Sequence, residues 1–431
     1  MSAMHRRNVY LIGGGGVAAA VLFSVLLLVR WWTAPIDIPR EPLPTYPNPN
    51  AYELYRTLAV QLLEQEKVKP AYRKAAIDIA DGIRRRRPLD SPEIRQYLQA
   101  MEPARLAYRR FLDMPSRVIL SYRADDLFPE LRGFHHWARV ETADVLLAIN
   151  TGDYARVVDN YRTVLLLSEQ IRNGGSLIHH LVASSCVSTI CPVIGGAICK
   201  LPVSECVQLV EATREWERRR VPVEQAYIVE RAWHINILHD FYEGKIKVTP
   251  EWLGEQPEAL RRLPSPKWLN LRAAAHELDQ LYQLAIVETR KPVLQQAKLP
   301  QPRHVINAML LPVYDTFPRQ EAVRTARIRL LGVAAAVRAY RLKHGRYPAT
   351  LAEAGVADLN KDPFTGAEFI YRPSAQGFLV YSVGEDGRDD GGKRAAGDRS
   401  PGDIGPVSYF SSPVPPRPLS SATPGSVVWL K

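Results

Sequence analysis

Cysteine is scarce in this chain, with four residues in 431, all between Cys186 and Cys206. Cys186, Cys191, Cys199 and Cys206 lack the paired spacing of a zinc ribbon, which excludes that class of metal site. They read either as small buried residues in an apolar run or, because Leu201-Pro202 turns the chain between Cys199 and Cys206, as holding one disulfide. Also missing are the Gly-x-Ser-x-Gly elbow of serine hydrolases, the His-Glu-x-x-His of zinc proteases and a strand-to-helix glycine loop that cradles phosphate. Gly13 to Gly16 lie inside an apolar segment instead. No stretch interleaves aromatic and basic residues as a nucleic-acid surface does. The net charge of +11 therefore points to anionic lipid headgroups and not to nucleic acid.

Histidine is thinly spread, with 10 residues. Neighbours on a helix point about 100° apart, so neither His135-His136 nor His179-His180 offers two ligands to one ion. His234 and His239 are one position too far apart for a helical ligand pair. Structural histidines and a non-enzymatic chain are the expectation. The alternative is an envelope metal-dependent hydrolase with its site in the helical region, which requires the fold to bring His135, His179 and Glu230 together.

What is present begins with an uncharged run from Val9 to Val29, close to the length that crosses a bilayer as a helix. Trp31 and Trp32 sit where an interfacial aromatic belt belongs, and His5, Arg6 and Arg7 precede the run, which favours a cytoplasmic N-terminus. A cleaved signal peptide has a similar layout, but no small-x-small site precedes Trp31. The expectation is a cytoplasmic tail over 1–8, a transmembrane anchor over 9–32, and a single-pass protein of the inner membrane with its bulk outside the cytoplasm. Pro35, Pro39, Pro42, Pro44, Pro47 and Pro49 mark 33–49 as an extended, semi-rigid stalk that lifts the next domain off the membrane.

From Asn50, which suits a helix N-cap, the chain reads as helix after helix to about Pro318. Expected helices include Leu131 to Asn150, Tyr154 to Ile171, Leu177 to Ile190, Pro222 to Tyr242 and Trp268 to Val293. The run from Leu177 to Leu201 is apolar enough for a second span, yet His179, His180, Ser184, Ser185 and Pro192 argue for a buried core helix. The fold class is mainly α, with an α-helical ectodomain over 50–318.

The C-terminal part differs. A long helix from Gln320 to His344 ends at Gly345 as a C′ glycine. Tyr347-Pro348 and Asp362-Pro363-Phe364 follow. Two short aromatic strands, Phe369 to Arg372 and Phe378 to Ser382, lead into Tyr381-Ser-Val-Gly-Glu-Asp-Gly387. The loop from Ser382 to Gly405 carries Asp386, Asp389, Asp390, Asp398 and Asp403 among glycines. Calcium accepts six to eight oxygens in irregular geometry, so this composition suits it, although the register is not that of an EF-hand. The expected boundaries are 319–411 for this small α+β domain and 412–431 for a disordered tail rich in Pro, Ser and Thr.

Taken together, Gly345-Arg-Tyr-Pro348, Asp362-Pro-Phe364, Tyr381-Ser-x-Gly-x-Asp-Gly387 and Asp403-Ile-Gly405 resemble the globular domain of the major pseudopilins of type II secretion. The resemblance implies a pseudopilin-like fold and a bound calcium, with Asp386 and Asp403 as carboxylate ligands and Val383 as a carbonyl ligand. Where the family often has a second Asp before the closing one, this chain has Gly402, so Asp389, Asp390 or Asp398 would replace it. The chain departs from the family at its N-terminus. Its apolar run carries no acidic residue, and the whole helical region separates that run from the module, so it cannot pack into a pilus core in the usual way. As a whole the chain is similar to uncharacterised membrane-anchored helical proteins of planctomycete-like bacteria, a likeness that carries no function. The functional expectation is an envelope scaffold or protein-interaction protein with an unidentified protein partner, or else an accessory component of a type II secretion-like machine.

Overall fold

The computed structural model describes residues 22–85, 87, 89–123, 126–246, 269–311, 314, 316–392 and 402–405. The chain is mainly helical. Helix α1 covers Leu22–Trp32. It is followed by α2 (Ala51–Val68), α3 (Pro70–Arg85), α4 (Pro92–Arg109), α5 (Glu130–Thr151), α6 (Tyr154–Gln170), α7 (Leu177–Ala197), α8 (Val203–Arg219) and α9 (Glu224–Tyr242). Then come α10 (Leu271–Glu288), the short α11 (Val305–Leu310) and the long α12 (Phe317–His344), and finally strands β1 (Ile370–Pro373) and β2 (Phe378–Tyr381).

Local chemistry explains most of the boundaries. Asn50, Ser91, Asp153 and Asn270 each accept a backbone N–H of the first turn that follows them, a contact worth about 1 kcal/mol per helix. Gly345 ends α12 in the left-handed region at φ 73°, as its position after His344 leads one to expect. The strands form an antiparallel hairpin in which Ile370 faces Tyr381 and Pro373 faces Phe378. Both lie within one residue of the expected positions.

Helices α5, α6, α7 and α8 pack on one another, and α12 lies across α8 and α7. Helix α7 is long and apolar enough to cross a membrane, but Cys186, Val187, Ile190, Cys191, Val193 and Ile194 are all buried in the protein core. The four cysteines are free thiols, and burial pushes Cys186 up to about 12. No disulfide joins Cys199 to Cys206.

One hydrophobic core runs across the boundary expected at 318/319. It joins Trp216 and Leu209 of α8 to Leu331 and Val333 of α12, and on to Leu351, Phe364, Phe378 and Val380. Four buried charges sit in that junction. Arg324 of α12 binds Glu169 of α6 and, at 2.8 Å, the Ser168 hydroxyl. Arg172, in the turn after α6, binds Glu321 of α12 at 2.6 Å. Trp216 Nε1 and the Val221 N–H complete Glu169, at 2.7 and 2.8 Å.

The stalk does not stand free. Extended proline-rich chain leaves its backbone polar groups open to partners, and α9 and α10 bind them. Glu41 N donates to Asn236 Oδ1 at 2.9 Å, Arg40 binds Asp240 at 2.7 Å, and Arg272 binds Asp37 at 2.6 Å. Ile36 enters a second core formed mainly by α9 and α10. The 33–49 segment is thus a strap along the helical region rather than a spacer beneath it.

Removing one member of a buried ion pair leaves the other charge without compensation, at a cost of about 3–5 kcal/mol. Urea denaturation of Arg324→Met is expected to show a loss of that size. Adding Glu169→Gln to the same chain is expected to recover part of it.

Candidate functional site

The Asp/Gly loop is built on β2. Its far end returns through a two-way backbone pairing between Ser382 and Ile404, with both N–H···O distances at 2.9 Å. Gly384 sits in the crossing with φ 69°, and a Cβ there would lie 2.3 Å from the Gly402 carbonyl oxygen. No other residue type fits that approach. Asp362 underpins the loop from below: it is 2 % exposed and accepts the N–H groups of Phe364 at 2.9 Å and Val383 at 3.3 Å.

The expected ligand residues have different surroundings. Asp403 is 3 % exposed. Its Oδ2 accepts the Gly392 N–H at 2.7 Å, while its Oδ1 is buried without a partner. Burial, together with the charges of Asp390 and Asp389, pushes Asp403 up to about 6. Asp389 is engaged elsewhere, with Arg372 at 2.5 Å and the Tyr381 hydroxyl at 2.6 Å. Asp386 accepts the N–H of Arg388 at 3.1 Å in a local turn. Asp390 is exposed and Val383 half-buried. Asp398 lies outside the described residues. Among the described residues, no three His, Cys, Asp or Glu side chains form a ready metal-binding group. The loop gathers carboxylates around Asp403. Its buried Asp403 oxygen lacks a donor, and its other carboxylates repel protonless Asp403.

The alternative site in the helical region does not assemble. His135 Nε2 lies 3.1 Å from Ser185 Oγ. His179 Nδ1 lies 3.1 Å from Ser176 Oγ, and Glu230 accepts the Leu177 N–H at 2.7 Å. On α7, Leu177 and Ser185 are about 12 Å apart along the axis, so His135 stands two turns from the other two. His179 is buried, which holds it down at about 3.

Glu230 belongs instead to a short buried relay. Tyr282 Oη lies 2.8 Å from His234 Nδ1, and His234 Nε2 lies 3.3 Å from Glu230 Oε2. Burial raises Glu230 to about 7, and the relay places no cation beside it.

Sequence reasoning missed a second set of buried charges. Arg105 of α4 binds Glu141 of α5 at 3.0 and 2.8 Å and Asp144 at 2.7 Å. Arg109 also reaches Glu141, at 3.0 Å, and Asn160 and Arg156 of α6 donate to Asp144. All four carboxylate oxygens accept at least one hydrogen bond, so the cluster ties three helices together. Glu141 and Asp144, three apart on an apolar helix, were the available signal.

The Glu230 carboxyl has a folded value above its ordinary 4.5. Its contribution to stability is therefore full below about pH 4.5 and is lost as the pH rises through about 7. The loss approaches about 3 kcal/mol. Glu230→Gln is expected to lack this decline and to be more stable than the parent at pH 8, with the two converging near pH 4, as read by urea melts across that range.

No protein-family profile, curated protein or solved structure matches the chain.

Proposed function

We propose that the chain is a single-pass, membrane-anchored scaffold or protein-interaction protein. Its bulk lies outside the cytoplasm, and calcium stiffens its C-terminal loop. The observation that carries the membrane reading is the surface of α1. Leu22, Phe23, Leu26, Leu28 and Trp31 are each about 60 % exposed, and Val25, Leu27 and Trp32 are exposed as well. A helix apolar on every side requires an apolar surrounding, and two tryptophans at its end suit the headgroup boundary. Residues 1–21, which complete the expected anchor, lie outside the described part. The full chain is expected to stay with membranes through an alkaline carbonate wash. Release into the supernatant would remove the reading.

Calcium would be held by Asp403 and Asp386, with the Val383 carbonyl and Asp390 as further oxygens. Asp398 is also a candidate ligand. The orphaned Asp403 oxygen supports this reading, since a divalent ion there would supply its missing partner and offset the neighbouring carboxylates. The far end of the loop returns to β2 through the Ser382–Ile404 bridge, and an ion would tie that end to the module further. An ion that binds only the folded state stabilises it by about 2.7 kcal/mol at a hundredfold excess over its dissociation constant. Calcium is expected to raise the melting temperature of the full chain in detergent, and Asp403→Asn to abolish the rise. An equal rise in both proteins would place the ion elsewhere.

A further inference from the structure

The strap and the C-terminal module hold opposite ends of one helix hairpin. Helices α9 and α10 are antiparallel neighbours, with Arg231 on Asp279 at 2.5 Å and Arg290 3.5 Å from Glu224. At one end, Tyr242 Oη donates to the Thr33 carbonyl at 3.4 Å. His239 Nε2 lies 2.8 Å from the Ile38 carbonyl, and Arg272 and His276 both reach Asp37, at 2.6 and 2.7 Å. Thr33 directly follows Trp32, the last residue of α1. At the other end, the chain beyond α10 joins the module. The Val293 and Leu294 N–H groups donate to the Pro363 and Phe364 carbonyls at 3.1 and 2.9 Å. A Leu294 methyl also packs over Gly387, 2.8 Å from where a Cβ would sit. The Asp/Gly loop is therefore at the end of the hairpin opposite Thr33. From Arg272 to Arg290 the helix rise covers about 27 Å.

We propose that the α9–α10 hairpin stands on the bilayer. Its Tyr242, Lys245 and Arg272 end contacts the lipid headgroup layer, and its other end carries the Asp/Gly loop about 27 Å further out. The proposal rests on the reading of α1 as a membrane anchor. One extended residue spans about 3.5 Å, so Tyr242, bonded to Thr33, lies beside the tryptophans that mark the membrane boundary. The side of the hairpin that carries the strap has its charges matched and offers no surplus cations to anionic lipid. Arg40 pairs with Asp240 and Glu243 at 2.7 and 2.9 Å, Arg231 with Glu41 and Asp279, and Arg272 with Asp37.

The test uses the full chain in phosphatidylcholine–phosphatidylglycerol vesicles whose headgroups carry nitroxide in both leaflets. In a Cys199→Ser background, a thiol fluorophore is placed at Lys245→Cys or Arg290→Cys, both of which replace side chains that are 63 % exposed. The expected result is several-fold stronger quenching at 245 than at 290. Equal quenching at both would mean that the hairpin lies flat and would overturn the proposal. Absence of quenching at both, in vesicles that float with the protein, would mean that the body is held away from the lipid, and would overturn it too. A chain that does not float with the vesicles fails as an anchored protein, and the orientation fails with it.

Discussion

Arg324 and Glu169 meet where water does not reach, and the relation between the two halves of the molecule depends on that meeting. Burying an ion pair is costly unless its geometry is good and its remaining lone pairs are engaged. Here Glu169 is bound by Trp216 of α8, Arg324 of α12, Arg172 in the turn after α6 and the Val221 N–H beyond α8. Arg172 and Glu321 repeat the pairing in the opposite sense, with the cation in the turn that ends α6 and the anion on α12. Apolar contact between helices is non-directional and tolerates small rotations. Two crossed Arg–Glu pairs do not, so they hold α12 at one rotation against α6. The hairpin and the Asp/Gly loop, which follow α12 in the chain, are placed by that rotation.

The described residues after Thr316 form a long helix, a turn, a β-hairpin and part of a loop. The apolar face of the helix, however, is already covered by α8 and α7 of the same chain. Leu331, Val333 and Val337 belong to the same core as Trp216. The module is best viewed as the last layer of one body, with an exposed loop, and less as a bead on a string.

The second organising contact is the strap. Prolines make 33–49 extended and stiff, and an extended chain offers polar groups at regular intervals. Asn236, Asp240, Arg231 and Arg272 meet them along one side of the α9–α10 hairpin. Stiffness favours this docking, since little conformational entropy is lost when a proline-rich segment is held straight. A flexible linker of equal length would lose more and stay free more readily.

Several features were legible in the residues themselves. The cap at Asn50, the stop at Gly345, the two-strand hairpin and the mainly helical class all follow from signals that act over a few positions. The loop between Ser382 and Gly405 was legible as a cluster of carboxylates. It was not legible that Asp389 turns to Arg372 and Tyr381 while Asp403 is buried with one oxygen unpaired, because both depend on how the loop closes back on β2. The histidines illustrate the same limit: only packing brought Tyr282 and Glu230 to His234 and kept His135 two turns away.

Periodicity, capping and turn chemistry are local, so the sequence by itself determined the helices, the hairpin, the extended strap and the apolar α1. The choice of which buried face covers which is a matter of close packing between surfaces far apart in the chain, such as α6 with α12 or residue 40 with residue 240. Only the tertiary structure decided those pairings, and with them the single shared core and the docked strap.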